Sequence, residues 1–201
     1  TVVYLAIDKK FAGTIIISDE VKKDSLKAIK QLKDMGIKKT VMLTGDSRQV
    51  GIKIGEELGL DEVYTDLLPH EKVEKLETLD KMKSGKGKLV FVGDGINDAP
   101  VLARADIGVA MGGMGSDAAI EAADIVLMTD EPGKLVTAIK IAKKTNQIVW
   151  QNIAFAFGVK IIVLFLGAGG LATMWGAVFA DVGVALIAVF NAMRVLNVRD
   201  I

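Results

Sequence analysis

The sequence contains no cysteine, one histidine and three prolines, and only 5% of its 201 residues are aromatic. Without cysteine the chain has neither a disulfide framework nor a thiolate metal site within this stretch. It also has no excess of charge, because 25 basic side chains balance 25 acidic ones, and no stripe of Lys and Arg with interleaved aromatics occurs. We therefore expect no nucleic acid among its partners.

The charged residues are unevenly distributed along the chain. Between residues 148 and 196 the only charged side chains are Lys160, Asp181 and Arg194. This change in composition predicts two domains, one over residues 1–145 and a second, membrane-embedded one over residues 146–201. The chain begins at Thr1 without an initiator Met or a signal peptide, which indicates a fragment of a longer protein.

The first domain has the pattern of an α/β fold. Short β-branched runs alternate with amphipathic stretches, which is typical of a parallel sheet with helices on its faces. We predict helices over residues 21–35, 48–58 and 71–82, a hairpin over residues 2–7 and 14–17, and strands over residues 40–43, near 63, 89–92, 107–110 and 125–127. The strands over residues 41–43 and 89–92 are apolar without alternation, so we expect both of their faces to be covered.

The second domain is predicted to be a transmembrane helical hairpin. A helix that opens at Pro132 leads into an apolar stretch over residues 148–167, and a second apolar stretch covers residues 173–196. Each is close to the ~20 residues that cross a bilayer core, and this length favours spanning over a buried pair of core helices. Basic residues flank both outer ends (Lys143, Lys144, Arg194 and Arg199), which predicts that both ends are cytoplasmic.

The strongest local signal is the run of residues 93–100, Gly-Asp-Gly-Ile-Asn-Asp-Ala-Pro, directly after a predicted strand. Ligands of open α/β sheets collect at the carboxyl ends of strands, so Asp94 and Asp98 would approach one hard cation there, with Mg²⁺ as the natural occupant. Gly93 and Gly95 permit a sharp turn near a phosphate, and Asn97 supplies a neutral donor. The alternative is an ordinary turn rich in Asp, Asn and Gly.

Two further signals lie near strand and helix ends. Thr44, Gly45 and Asp46 follow the strand over residues 41–43, where a hydroxyl and backbone N–H groups would hold a phosphate oxygen, although a helix N-cap is the default interpretation. Lys72 lies just inside a helix after Pro69, where most lysines are solvated. Together with the paired carboxylates, these groups supply the positioning and charge neutralisation that phosphoryl transfer requires.

These three segments resemble the later motifs of P-type ATPases, within the haloacid-dehalogenase-like superfamily, and the similarity covers essentially the whole chain. The resemblance implies that Asp94 binds Mg²⁺ and that Asp98 supports that site. It also implies that Thr44 and Lys72 hold the phosphoryl group transferred from ATP, and that Asp46 lines the same site.

The same resemblance places the phosphorylated aspartate in an upstream Asp-Lys-Thr-Gly-Thr motif, which this sequence does not contain. Asp8, Lys9 and Lys10 share only two letters with that motif and lie in the predicted hairpin turn. We therefore expect the chain by itself to be inactive.

Lys160 and Asp181 are each the only ionisable residue well inside a predicted span. An ionised side chain at that depth costs about 2.5–3.5 kcal/mol on insertion scales, so it usually faces a partner or an ion path. If the hairpin turns near residues 170–171, both lie ~15 Å deep at ~1.5 Å rise per residue. This equal depth predicts an ion pair, whereas the alternative is a snorkelling lysine and an interfacial aspartate.

Asn152 and Lys160, eight residues apart, and Asp181, Gly183 and Asn191 resemble the signatures of the subgroup that exports zinc, cadmium and lead. The resemblance implies that Asp181 ligates the exported ion together with cysteines of an upstream Cys-Pro-Cys helix, and that Lys160 is a built-in counter-ion. It implies further partners, namely the actuator and nucleotide-binding domains and the lipid bilayer, and a location in the plasma membrane. A membrane-tethered phosphatase and a noncatalytic remnant that binds a partner are the alternatives.

Overall fold

The computed structural model of the chain describes residues 2–16, 20–93, 96–112 and 117–196. The chain forms two compact units, Thr1–Gly133 and Lys134–Ile201. The domain boundary that the composition predicts, between residues 145 and 146, lies within a continuous helix of the second unit.

The chain begins with an antiparallel hairpin of β1 (Val2–Ile7) and β2 (Lys10–Ile16). Asp8 and Lys9 form its turn with φ values of 50° and 63°, the left-handed conformations of a two-residue hairpin turn. The sequence predicts that the second strand of this hairpin begins at residue 14. In the structure β2 begins at Lys10, because the turn takes two residues rather than the five that separate the predicted strands.

Two parallel sheets follow. One pairs β3 (Val41–Leu43) with β4 (Glu62–Tyr64), and the other has the order β5, β6, β7, formed by Val90–Gly93, Ile107–Met111 and Ile125–Leu127. The predicted α/β class with parallel pairing is confirmed. Within the described residues β3 and β5 are edge strands of separate sheets. The expectation that both faces of these strands are covered is wrong for β5, where Val90 is exposed.

Five helices accompany the strands in the part of the first unit that the structure describes. They are α1 (Ser25–Asp34), α2 (Arg48–Leu58), α3 (Pro69–Lys81) and the short α4 (Ala99–Leu102) and α5 (Asp117–Ala122). Helix α2 has the predicted bounds and ends at Gly59, whose φ of 66° is left-handed. Helix α3 begins two residues before its predicted start, because proline fits the first helical turn and the Glu71 carboxylate accepts the Leu68 N–H at 2.8 Å.

The core of the first unit lies where α4 packs on β6. Val101, Leu102 and Val109 are its largest fully buried side chains. A Cβ at Gly108 would lie 2.7 Å from the Leu102 carbonyl oxygen, so glycine permits this close approach. This packing positions the 3₁₀ turn (Ile96–Asp98) that leads into α4 and carries Asp98 of the 93–100 run.

The second unit contains two long helical segments. Helix α6 covers Gly133–Ala168, and a second segment consists of α7 (Met174–Val178), a π-helical turn (Phe179–Gly183), α8 (Val184–Ala192) and a final 3₁₀ turn (Met193–Leu196). Both segments are long and apolar enough to cross a bilayer, with a mean hydropathy of 1.9 over their most apolar windows. Only 6% and 11% of those windows are buried, whereas core helices of soluble proteins are mostly buried.

Candidate functional site

The loop of Thr44, Gly45 and Asp46 follows β3 directly, at its carboxyl end. The Thr44 hydroxyl donates to Asp46 Oδ2 at 2.7 Å, and its oxygen accepts the Asp46 N–H at 3.1 Å. Thr44 is half-buried, whereas Gly45 and Asp46 are exposed. The predicted hydroxyl and backbone donors therefore lie together at a strand end, as a phosphate-binding loop requires.

A second segment, residues 64–67, holds this loop in place. The Thr44 N–H donates to the Tyr64 carbonyl at 2.9 Å, and the Thr44 carbonyl accepts the Leu67 N–H at 3.1 Å. The Asp66 N–H donates to the Asp46 carbonyl at 2.9 Å. Asp66 has a φ of 56°, a left-handed conformation that Asp tolerates better than most residues. Sequence reasoning missed the 64–67 segment, and an Asp just after a short strand was its only signal.

Two glycines permit the loop, α2 and the 64–67 segment to approach closely. A Cβ at Gly51 of α2 would lie 2.4 Å from Thr65 Cγ2 and 3.3 Å from Thr44 Cγ2. A Cβ at Gly45 would lie 3.2 Å from the Leu67 carbonyl oxygen. A larger residue at Gly51 would force the Thr65 side chain to shift, because the Cβ contact lies below 3.0 Å, and one at Gly45 would press on the Leu67 carbonyl.

Lys72 and Asp98 form the second cluster. Lys72 Nζ donates to Asp98 Oδ1 at 2.8 Å, and only 17% and 14% of the two side chains are exposed. Lys72 projects from the first turn of α3, and Asp98 ends the 3₁₀ turn (Ile96–Asp98) that follows β5. Lys72 is therefore not one of the solvated surface lysines. Asn97, the neighbour of Asp98, is exposed.

Gly93, the last residue of β5, lies against Asp98. A Cβ at Gly93 would be 2.9 Å from both Asp98 Cβ and Asp98 Oδ2. The glycine thus keeps the space beside this carboxylate oxygen open. Asp94 and Gly95 lie outside the described residues, so the predicted pairing of Asp94 with Asp98 is not described.

The predicted catalytic residues fall into two clusters, the Thr44 loop and the Lys72–Asp98 pair. Within residues 20–93 and 96–112 no hydrogen bond or ion pair joins the two. They are linked along the chain, since only Leu68 separates the 64–67 segment from the start of α3, which carries Lys72. No group of three or more His, Cys, Asp or Glu side chains that would hold a metal ion occurs in the described part of the chain.

Two carboxylates anchor the strands that lead to these clusters. The Asp106 carboxylate accepts the Leu89 N–H at 2.8 Å, just before β5, and binds Lys83 Nζ at 2.5 Å and Lys88 Nζ at 3.1 Å. These bonds hold the pKa of Asp106 well below its usual range, and the bond from the Leu89 N–H has the largest effect, ahead of those from the two ammonium groups.

The same arrangement precedes β3. Asp61 Oδ1 accepts Lys33 Nζ at 2.6 Å, and Asp61 Oδ2 accepts both the Thr40 hydroxyl and the Thr40 N–H at 2.7 Å. These bonds, that from Lys33 above all, hold the pKa of Asp61 well below its usual range. Both site-bearing strands are thus fixed at the ends opposite their loops.

The second unit brings Lys160 and Asp181 together. Lys160 Nζ on α6 lies 3.4 Å from Asp181 Oδ1, as the matched depths predict. Asp181 lies in the π-helical turn, an irregularity that is frequent at functional sites. A Cβ at Gly183 would lie 2.5 Å from Phe179 Cδ2, so glycine makes room for the aromatic ring that packs against this turn. In this chain 58% of the Lys160 side chain and 76% of the Asp181 side chain are exposed.

An amide cluster joins the same two helical segments nearer their outer ends. Asn191 Nδ2 donates to Asn152 Oδ1 at 2.8 Å, and Asn152 Nδ2 donates to the Ala188 carbonyl at 3.1 Å. Arg194 donates to Asn191 Oδ1 at 2.9 Å. The two asparagines that resemble a subgroup signature therefore contact each other.

The model of the haloacid dehalogenase-like hydrolases matches residues 1–106, more than half of the chain. The chain belongs to this family. This haloacid dehalogenase-like protein is 62% identical over 200 residues to a cadmium, zinc and cobalt-transporting ATPase of Bacillus subtilis (strain 168), with 100% of the chain and 28% of the relative covered. It is 60% identical over 195 residues to a zinc-transporting ATPase of Synechocystis sp., covering 97% of the chain and 27% of the relative.

A solved structure is likewise that of a metal-transporting ATPase. The crystal structure of a zinc-transporting PIB-type ATPase in its E2.Pi state superposes with a TM-score of 0.84 at 38% identity, and the match covers 98% of the chain and 31% of that protein. The chain therefore spans less than a third of the length of these relatives. The similarity includes both apolar helical segments, so this haloacid dehalogenase-like protein is a membrane protein related to heavy-metal P-type ATPases.

Proposed function

We propose that the chain is part of an ATP-driven pump that exports divalent heavy-metal ions (Zn²⁺, Cd²⁺ or Pb²⁺) across a membrane through an aspartyl-phosphate intermediate. The observation that carries the proposal is the 3.4 Å approach of Lys160 and Asp181 between two apolar helical segments. A tethered phosphatase has no use for this pair of charges inside the bilayer, where each is costly.

The phosphoryl-transfer site would use both clusters of the first unit. The Lys72 ammonium, oriented by Asp98, would neutralise charge on the transferred group, and the Thr44 hydroxyl with the backbone of Gly45 would hold its oxygens. Asp46 would orient the Thr44 hydroxyl, to which it is already bonded. Asn97 is exposed beside Asp98 and would add a neutral donor.

The residues fit a Mg²⁺ ion. Asp98 is a hard oxygen ligand, and its Oδ2 faces the space that Gly93 keeps open. We assign Asp94 to the same ion, with Asp98 in support. When bound, Mg²⁺ would supply positive charge against the phosphate oxygens.

The remainder of the pump would supply the nucleophilic aspartate. In the described residues β3 and β5 are edge strands of two separate parallel sheets, and each leads at its carboxyl end to one cluster of the site. A strand from the upstream part of the pump, inserted between them, would satisfy both edges and place its own carboxyl end between the clusters. The actuator and nucleotide-binding domains would be the other partners within the pump.

The ion site would lie at Asp181. Its carboxylate, together with thiolates of an upstream Cys-Pro-Cys helix, suits ions of borderline softness, and Lys160 would serve as counter-ion when the site is empty. The basic residues at the outer ends of the two spans, Lys143 and Lys144 before the first and Arg194 and Arg199 at the end of the second, support cytoplasmic ends. We place the pump in the plasma membrane.

The test uses the complete pump in sealed vesicles, with ATP hydrolysis and uptake of Zn²⁺, Cd²⁺ and Pb²⁺ measured in parallel. We expect hydrolysis that depends on one or more of these ions and that is coupled to their uptake. Asp94→Ala should abolish both, because alanine offers no oxygen ligand. Hydrolysis of phosphate monoesters that ignores the ions, without any uptake, would instead identify a tethered phosphatase.

A further inference from the structure

The π-helical turn (Phe179–Gly183) interrupts the second apolar segment at Asp181, between α7 and α8. The Val184 N–H closes this turn by donating to the Phe179 carbonyl, five residues back, whereas the N–H groups of an α-helix donate four residues back. Because π-helical turns are rare, the turn at Asp181 indicates a local contact that favours it.

The Phe179 ring and Gly183 supply that contact. A Cβ at Gly183 would lie 2.5, 2.8 and 3.2 Å from Phe179 Cδ2, Cε2 and Cγ, so the ring occupies the space that a side chain would fill. Residues four apart lie on the same side of a helical turn, and glycine at the second position permits the ring to pack this closely. The ring therefore joins the first residue of the turn to its last.

Asp181 lies at the centre of this turn, beside the two positions where the segment is buried. Among residues 174–196 only Ala180 and Val184 are buried, whereas the Asp181 side chain is exposed and lies 3.4 Å from Lys160 Nζ. An α-helix turns further per residue than a π-helix, so a return to α-helical geometry would rotate Asp181 relative to Val184. The turn therefore determines where the Asp181 carboxylate points.

We propose that Phe179 is a positioning residue for the ion site. Its ring, packed against Gly183, holds the π-helical turn and so keeps the Asp181 carboxylate opposite Lys160. This role rests on the proposed function, in which Asp181 ligates the transported ion. Phe179 offers no ligand atom, so its loss weakens ion binding without removing a ligand. Groups that orient a metal ligand typically contribute about 10–100-fold in metal affinity.

The experiment measures zinc-stimulated ATP hydrolysis in the complete pump, with the KM for Zn²⁺ and kcat determined separately, and bound zinc in the same preparation. Phe179→Ala should raise KM about tenfold and change kcat by less than about twofold, because Asp181 remains but is no longer held in place. Phe179→Tyr keeps the ring and should have the wild-type KM. Phe190→Ala is the matched control, because it removes an exposed ring from α8 outside the turn, and it should leave KM unchanged.

Gly183→Ala tests the contact itself. Its Cβ would displace the Phe179 ring, so KM should rise about tenfold in the wild-type background. In the Phe179→Ala background no ring remains to be displaced, and the further rise should be less than about twofold. Strictly additive effects of the two variants, equal KM values in Phe179→Ala and Phe190→Ala, or a fall in kcat at unchanged KM would overturn the role of Phe179.

Asp181→Ala, measured in parallel, separates this role from the ion site on which it rests. Wild-type zinc binding in Asp181→Ala would refute the ion site and the role of Phe179 with it. Loss of zinc binding in Asp181→Ala together with a wild-type KM in Phe179→Ala would overturn the role of Phe179 alone and leave the ion site in place.

Discussion

Lys72 Nζ lies 2.8 Å from Asp98 Oδ1, and the pair joins the first turn of α3 to the turn after β5 while remaining largely shielded from water. Each charge compensates the other where solvation is poor. Removal of one partner would leave an uncompensated charge in the proposed phosphoryl-transfer site. The pair therefore connects the geometry of the candidate site to its electrostatics.

We predict that Lys72→Ala lowers the rate of phosphoenzyme formation in the complete pump by about 100-fold, the usual effect of removing one preorganised donor. Lys72→Arg should recover part of the rate because it restores the charge. The rate of radiolabel incorporation from ATP measures both effects.

Lys81→Ala removes an exposed lysine from the last turn of the same helix and should leave the rate unchanged. If Lys72→Ala were phosphorylated as fast as Lys81→Ala, the ammonium would have no role in transfer.

The chain alone should form no acyl phosphate from ATP, because it contains no Asp-Lys-Thr-Gly-Thr motif and its Asp8 lies in the β1–β2 turn. Incubation of the purified 201-residue chain with labelled ATP and Mg²⁺, followed by an acid quench, measures this directly. An acid-stable phosphoprotein would place the nucleophile within the chain, and Asp8→Asn would then identify or exclude the most similar candidate.

Local signals predicted most of the first unit. Gly59 fixed the end of α2, and the alternation of strands and helices gave the parallel pairing. The split into two sheets was not predictable, because the pairing of β3 and β5 depends on long-range partners and not on their own residues. The start of α3 depended on a cap between Leu68 and Glu71, which a search for apolar periodicity overlooks.

The contacts of the candidate site differ in how well the sequence predicts them. The sequence pairs Lys160 with Asp181 from their matched depths alone, because a charged side chain within an apolar span has few other partners. Lys72 and Asp98 were both named, but their contact spans 26 residues and follows from tertiary packing. The 64–67 segment acts through backbone hydrogen bonds to the Thr44 loop, and backbone groups carry no sequence signature.

Gly55→Ala should destabilise the first unit, because a Cβ at Gly55 of α2 would lie 2.2 Å from Val63 Cγ2 of β4. Overpacking of this kind costs about 1–3 kcal/mol, which exceeds the ~1 kcal/mol that alanine gains over glycine in a helix. Thermal unfolding of the chain in detergent, monitored by far-UV circular dichroism, measures this loss of stability.

The matched control for Gly55→Ala is the double variant with Val63→Ala, which removes the clashing methyl group. It should recover part of the loss relative to the sum of the two single variants. Strictly additive effects would show that the two positions do not press on each other.

Asp106 should make the stability of the first unit depend on acidity. Its pKa is lowered in the folded state by the Leu89 N–H and by Lys83 and Lys88, so its contribution is present above the unfolded pKa of about 4 and is lost as pH falls through the lower folded value. Asp106→Asn should therefore lower the unfolding temperature at pH 7, and the difference from wild type should shrink below about pH 4.

Asp117→Asn, at an exposed acid on α5, is the control for Asp106→Asn and should change the unfolding temperature little at either pH. A constant difference between wild type and Asp106→Asn from pH 7 to pH 3 would show that the carboxylate charge is not what anchors β5.

Lys160 and Asp181 should respond differently to removal, although they form one ion pair. Asp181→Ala would delete the proposed oxygen ligand of the transported ion and would leave a cation without its partner, so zinc binding and zinc-stimulated hydrolysis in the complete pump should collapse. Lys160→Ala keeps the ligand but loses the internal charge that would displace the metal or block its return. It should retain zinc binding and show slowed release or hydrolysis without metal.

Bound zinc and zinc-stimulated hydrolysis, measured for each variant and for the double variant in one membrane preparation, test this asymmetry. Asp181→Asn separates charge from shape, because its amide keeps the size of the side chain while losing the anionic ligand. The double variant should resemble Asp181→Ala, since a counter-ion has no role once the ligand is gone. Wild-type zinc affinity and turnover in Asp181→Ala would remove the ion site from this pair of helices.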